Sequence, residues 1–157
     1  MILALSEGIG ELGSRLLASA LPKSRLSALT LWRNKVGNGG ARALADALMH
    51  ASTMLTSLDL HDASIGPQGA AAIAHALAGG LGSMAHDSIA AYMNTTSNSS
   101  LNEAAATTKR ETKGVLLSAP PPLAWLSLEG NPLGDAGAVE LAWALPKSRL
   151  TELHLAR

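Results

Sequence analysis

The chain has 157 residues, 47% of them hydrophobic and only 15% charged, which suits one domain with a buried core. Twelve basic and twelve acidic residues cancel, which argues against a nucleic-acid footprint or an electrostatic membrane anchor. The lack of cysteine excludes disulfide scaffolds, thiolate zinc sites and cysteine nucleophiles together.

The amino-terminal residues lack the basic start and long apolar stretch of a signal peptide, so a cytoplasmic protein is expected. The uncharged run 63–85 holds Gly, Pro, Gln and His75, a poor composition for a spanning helix.

Internal repetition dominates the rest. An irregular unit comes first, with Leu3, Ile9-Gly10, Gly13, Leu17-Ala18 and Leu21. Three units then align without a gap. The first runs Leu26-x-x-Leu29-x-Leu31-x-x-Asn34-x-Val36-Gly37, then Gly40-Ala41, Leu44-Ala45 and Leu48. The second runs Leu55-x-x-Leu58-x-Leu60-x-x-Ala63-x-Ile65-Gly66, then Gly69-Ala70, Ile73-Ala74 and Leu77. The third runs Leu123-x-x-Leu126-x-Leu128-x-x-Asn131-x-Leu133-Gly134, then Gly137-Ala138, Leu141-Ala142 and Leu145. A fourth opens with Leu150-x-x-Leu153-x-Leu155.

Each unit reads as a short strand, a turn and a helix. Alternating leucines turn to one side of a strand. Asn34 and Asn131 suit a tight turn, a column that Ala63 interrupts. Asn38, Pro67 and Asp135 suit a helix start as cap or first-turn proline. Leu44, Ala45 and Leu48 and their equivalents form one apolar stripe, and the Gly40-Ala41 class should let each helix lie close to its strand. The heptapeptide ALPKSRL, at 20–26 and 144–150, falls at the same place in its two units. Pro22 and Pro146 should stop the helices there, with Lys and Arg near the negative helix end. A copied structural unit therefore accounts for it better than a twice-used binding motif.

The pattern Leu-x-x-Leu-x-Leu-x-x-Asn-x-Leu-Gly resembles the leucine-rich repeat. The tail Gly-Ala-x-x-Leu-Ala-x-x-Leu resembles the ribonuclease-inhibitor-like subfamily, found also in NOD-like receptors and Ran GTPase-activating proteins. The resemblance covers most of 1–80 and 123–157. It implies an α/β solenoid, a curved parallel sheet with outer helices, acting as a non-catalytic scaffold for protein–protein interaction. The alternative it implies is a regulator of an enzyme: a Ran-type GTPase activator or a ribonuclease-inhibitor-like inhibitor.

Between the two repeat blocks, residues 81–122 carry an Asn/Ser/Thr run, a Lys109–Lys113 charge cluster and three consecutive prolines from Pro120. This composition is that of a disordered insertion. A partner-binding insert and a segment foreign to the mature protein are the competing readings.

Alternation also names the concave face. Trp32 and Arg33, Asp59, His61 and Asp62, Trp125 and Glu129, and Glu152 and His154 are the expected partner-binding residues, with Ser127 and Arg157 on the same side. Trp and Arg are enriched at binding hot spots, although a Trp there also covers a neighbouring strand. The His and Asp residues of this face make a metal-dependent hydrolase conceivable, but His61-Asp62 is a common dipeptide. The Gly37–Gly40 stretch lacks the Lys-Ser/Thr of a phosphate loop. No cofactor, metal or catalytic residue is expected. His75 should be solvent-exposed, and Trp143 should pack on a neighbouring helix. The last repeat breaks off in mid-unit, so the expectation is a fragment of a longer array or end-to-end self-association through an uncovered strand edge.

Overall fold

The computed structural model describes residues 1–5, 8–80 and 119–156. Five three-residue strands, β1 (Ile2–Ala4), β2 (Ala28–Thr30), β3 (Ser57–Asp59), β4 (Trp125–Ser127) and β5 (Glu152–His154), form one parallel sheet in chain order. Among the described residues four helices, α1 (Glu11–Ala20), α2 (Gly37–Leu48), α3 (Pro67–Leu77) and α4 (Gly134–Ala144), connect or follow them. Each helix packs on the next, α1 on α2, α2 on α3 and α3 on α4. The irregular first stretch is thus a full unit, with its own strand and helix.

The register follows the leucines. Leu3, Leu29, Leu58, Leu126 and Leu153 stand opposite one another across the whole sheet. The strands therefore stack without slippage, because a one-residue slip would turn every leucine to the open side. The pairing of Leu58 with Leu126 continues the array past 68 positions of sequence. Within that stretch, the proposed 81–122 insertion lies outside the described residues, apart from its last four.

Leu29, Leu31, Leu44, Leu48, Leu55, Leu58 and Leu60 are at most 1% exposed. Removing each such side chain from water contributes about 1.5–3 kcal/mol. No helix among the described residues is long and apolar enough to cross a membrane.

Four expectations need correction. First, the glycine class serves the approach of helix to helix as well as close packing within its own unit, where a Cβ on Gly40 or Gly69 would meet Val36 or Ile65. A Cβ on Gly40 would lie 2.9 Å from Ser14 Cβ, and one on Gly69 would lie 3.1 Å from Ala41 Cβ, both on the preceding helix. Second, Asn38 does not cap its own helix. Its Oδ1 accepts from Gly66 N (2.8 Å) and Gly69 N (3.0 Å) at the start of α3. The cap crosses to the next unit because Gly66, the N-cap of α3, has no side chain. Third, the α-helices do end before Pro22 and Pro146, at Ala20 and Ala144, but the helical winding goes on past them. Both prolines lie inside 3-10 turns, Leu21–Lys23 and Leu145–Lys147, that tighten each helix end. Fourth, His75 is only half-exposed, and its Nε2 is buried without a hydrogen-bond partner.

The asparagine column also ties neighbouring units together. Asn131 Nδ2 donates to Leu60 O (2.7 Å) in the preceding unit and to Leu128 O (2.9 Å) in its own. Its Oδ1 accepts from Ala63 N and Ile65 N, again in the preceding unit. Asn34 repeats this two units earlier, donating to Leu5 O (2.7 Å) and accepting from Ile9 N (2.9 Å). Each asparagine thus satisfies the turn of the unit before it.

Candidate interaction face

The helices cover the leucine side of the sheet, and the opposite side is open. On that side the pairing sets three columns. The first is Ala28, Ser57, Trp125 and Glu152, and the second is Thr30, Asp59, Ser127 and His154. The third follows just past the strands. There Arg33 N donates to His61 O (2.8 Å) and Asp62 N to Glu129 O (2.9 Å), so Trp32, His61 and Glu129 fall side by side. Neighbouring strands are about 4.8 Å apart, which brings these side chains within reach of one another.

Contacts join them into three groups. His61 is central to the first. Its Nε2 lies 3.2 Å from Asp62 Oδ2, its Nδ1 lies 3.8 Å from Glu129 Oε2, and its backbone N–H donates to Asp59 Oδ1 at 3.1 Å. In the second, the Trp125 and His154 rings lie 5.3 Å apart between centroids, tilted by 44°. His154 Nε2 is also 3.6 Å from Glu152 Oε2. In the third, the Arg33 guanidinium sits over the Trp32 ring, 5.0 Å from its centroid.

All nine expected residues therefore lie along the open side. Trp32, Arg33, Asp62, Glu152 and His154 are exposed, while Asp59, His61, Trp125 and Glu129 are half-buried. Ser127 departs from expectation, at 4% exposed beneath its neighbours. Arg157 lies outside the described residues.

The turn after each strand carries a second regularity. Arg33 (φ 55°), Asp62 (φ 50°) and Gly130 (φ 70°) share one repeat position in left-handed backbone. Only glycine takes that region at no steric cost. A Cβ on Gly130 would also collide with Asp62 Oδ1.

Electrostatically the face differs from the chain. The chain carries a formal net charge of +0. The face sets four carboxylates, Asp59, Asp62, Glu129 and Glu152, against one guanidinium, Arg33. Among the described residues, no group of three or more His, Asp or Glu side chains is placed to hold a metal ion. The two tryptophans supply broad apolar surface between the charges.

Sequence reasoning did not find a second concavity, on the outer side. A groove of about 320 Å³ runs between α1 and α2, lined by Arg15, Ser19, Asp46 and His50 among others. His50 Nδ1 lies 2.9 Å from Ser52 Oγ, which in turn bonds Pro22 O at 2.7 Å. These residues vary among the units, so the repeat pattern gives no signal for the groove. Trp143 meets Lys147, whose Nζ lies 3.1 Å from the ring centroid.

A single parallel sheet alternating with outer helices, one strand and one helix per unit, defines an α/β repeat fold of the leucine-rich-repeat type. A family model described as Leucine Rich repeat matches residues 51–74 and 126–142, and these matches support a leucine-rich repeat protein. They fall on the second and third gapless units. Comparison with curated proteins gives no match.

Proposed function

We propose that the chain is a protein-binding scaffold without chemistry of its own, and that its open sheet face takes a basic segment of a protein partner. Leucine-rich repeats commonly mediate protein–protein interaction, which supports the broad reading. The observation that carries the particular one is the register. With the hydrogen bonds just past the strands, it puts Asp59, Asp62, Glu129 and Glu152 on one side of the sheet, with Trp32 and Trp125 among them. Carboxylates on a rigid sheet speed encounter with cations and select against acidic partners. Aromatic side chains beside them supply the packed area that holds the complex. Arg33, stacked on Trp32, marks the end of the face where an acidic residue of the partner would fit.

In the same reading the protein works in the cytoplasm, belongs with the ribonuclease-inhibitor-like repeats, and associates with itself through the end of the array. The test is titration of the chain with Lys/Arg-rich and with acidic peptides of equal length, followed by tryptophan fluorescence. The basic peptide should bind, more weakly as salt rises, and Asp59→Lys with Glu129→Lys should abolish binding. Equal binding of both peptides, or none, overturns the reading. A Ran-type activator differs in one respect: it accelerates GTP hydrolysis by its GTPase, whereas this scaffold should leave that rate unchanged.

A further inference from the structure

The open face leaves one ring nitrogen without a proton to share. His61 stands in the middle of its group, and both of its ring nitrogens face carboxylates. Nε2 lies 3.2 Å from Asp62 Oδ2, and Nδ1 lies 3.8 Å from Glu129 Oε2. A neutral imidazole carries one N–H and one lone pair. The nearer carboxylate holds that proton on Nε2. Nδ1 therefore turns its lone pair to Glu129, and two acceptors face each other with no hydrogen between them. Their separation agrees, because 3.8 Å is too long for a hydrogen bond.

The backbone that carries the ring is tied down on both sides. The His61 N–H donates to Asp59 Oδ1 at 3.1 Å, and the His61 C=O accepts from Arg33 N at 2.8 Å. Trp32 stands beside His61 in the same column on one side, and Glu129 on the other. The group is open to a partner, since the side chains of His61, Asp62 and Glu129 are 30%, 45% and 37% exposed.

The chain does not supply the missing donor itself. Arg33 is the cation of this face, and its guanidinium sits over the Trp32 ring, 5.0 Å from the centroid. Among the described residues no ion pair joins Arg33 to Asp59, Asp62 or Glu129. Three carboxylates thus surround one imidazole with no cation between them.

Geometry limits the kind of donor that fits. One nitrogen about 2.8 Å from each acceptor bridges a gap of 3.8 Å. A lysine ammonium meets this need, because it carries three N–H donors on a single compact nitrogen. A guanidinium donates from separate nitrogens in a planar fork that matches the two oxygens of one carboxylate. Such a fork pairs with Glu129 and leaves the His61 lone pair unanswered. The Trp32 ring, on which a guanidinium would stack, is already taken by Arg33.

We propose that His61 and Glu129 form a seat for one lysine ammonium of the partner, which donates to His61 Nδ1 and Glu129 Oε2 together. The seat rests on the open-face reading and narrows it. At this point the basic segment presents lysine, and positive charge alone is not enough. His61 is the residue that sets this choice, because its lone pair is the acceptor that an arginine fork does not reach.

The test uses two peptides, one built on lysine and one with arginine at the same positions, titrated into the full chain at pH 8 and followed by tryptophan fluorescence. The lysine peptide should bind wild type more tightly. His61→Leu removes both nitrogens and adds no aromatic face, so the ratio of lysine to arginine affinity should fall about fivefold, the worth of one hydrogen bond. Both peptides should still bind that variant, because Asp59, Asp62 and Glu129 remain. A second measurement needs no variant. In the free wild-type chain labelled with 15N-histidine, the His61 proton should sit on Nε2, and the Nδ1 signal should move when the lysine peptide is added. A proton found on Nδ1 overturns the seat, as does an equal or stronger grip on the arginine peptide by wild type, or a ratio that His61→Leu leaves unchanged. Each of these results leaves the open-face reading standing. Failure of wild type to bind either peptide overturns both.

Discussion

Asn38 caps a helix that is not its own: its Oδ1 accepts from Gly66 N at 2.8 Å and from Gly69 N at 3.0 Å, across the boundary between two units. A side chain on α2 thus satisfies two amide donors that α3 leaves free, as every α-helix leaves its first N–H groups. Cap and packing contact coincide here, because the same oxygen lies 2.9 Å from where a Gly69 Cβ would stand.

Asn38→Ala should therefore cost about 1–2 kcal/mol, as loss of an N-cap does. Asn38→Asp should stay near wild type, since a carboxylate keeps the acceptor and suits the positive helix end. Urea denaturation of the three chains checks this. Equal losses for both variants would mean that the carboxamide is held for its shape and not for the acceptor.

Asn131→Ala should be costlier, by about 3 kcal/mol. It strips partners from Leu60 O, Ala63 N and Ile65 N in the preceding unit, and each buried group left without a partner costs about 1–3 kcal/mol. Asn34→Ala breaks fewer such bonds, and only to the first unit, so its effect should be smaller. Hydrogen exchange separates the two: Asn34→Ala should expose the amides of residues 8–20, and Asn131→Ala those on both sides of the β3–β4 pair.

These two asparagines also show how far the sequence could be read. The leucine columns, the strand–turn–helix unit and the side of the sheet left open were legible, because alternation and the repeated spacing act through neighbours in the chain. Asn34 and Asn131 were legible as turn residues. Their chief partners were not, because Leu5 and Leu60 lie 29 and 71 positions away. Asn38 was misread for the same reason. A capping residue looks alike whether it serves its own helix or the next, and only the distance between helices decides. On the open face, alternation identified the nine residues but not the links from His61 to Asp62 and Glu129, which depend on side-chain rotamers.

His75 offers a gain in stability. Its Nε2 is buried with no partner, so folding strips water from that nitrogen and returns nothing. His75→Leu keeps the helix and removes the polar atom, and should stabilise the chain by about 1 kcal/mol. A higher melting temperature confirms this, and an unchanged or lower one would show that the imidazole holds a contact that leucine does not replace.

The leucine column should report position within the array and not only burial. In a repeat fold each unit is held by its neighbours, so stability sums over interfaces. Leu58 is fully buried in β3, with β2 on one side and β4 on the other. Leu153 is half-buried in β5 and has β4 on one side only among the described residues. Leu58→Ala removes packing from two interfaces and leaves a cavity, which should cost about 3–4 kcal/mol and lower the midpoint of the whole transition. Leu153→Ala should cost about 1 kcal/mol and fray β5 alone, which urea denaturation and hydrogen exchange of the two variants check. Equal costs at the two positions would mean that burial and strand neighbours do not set what each leucine contributes.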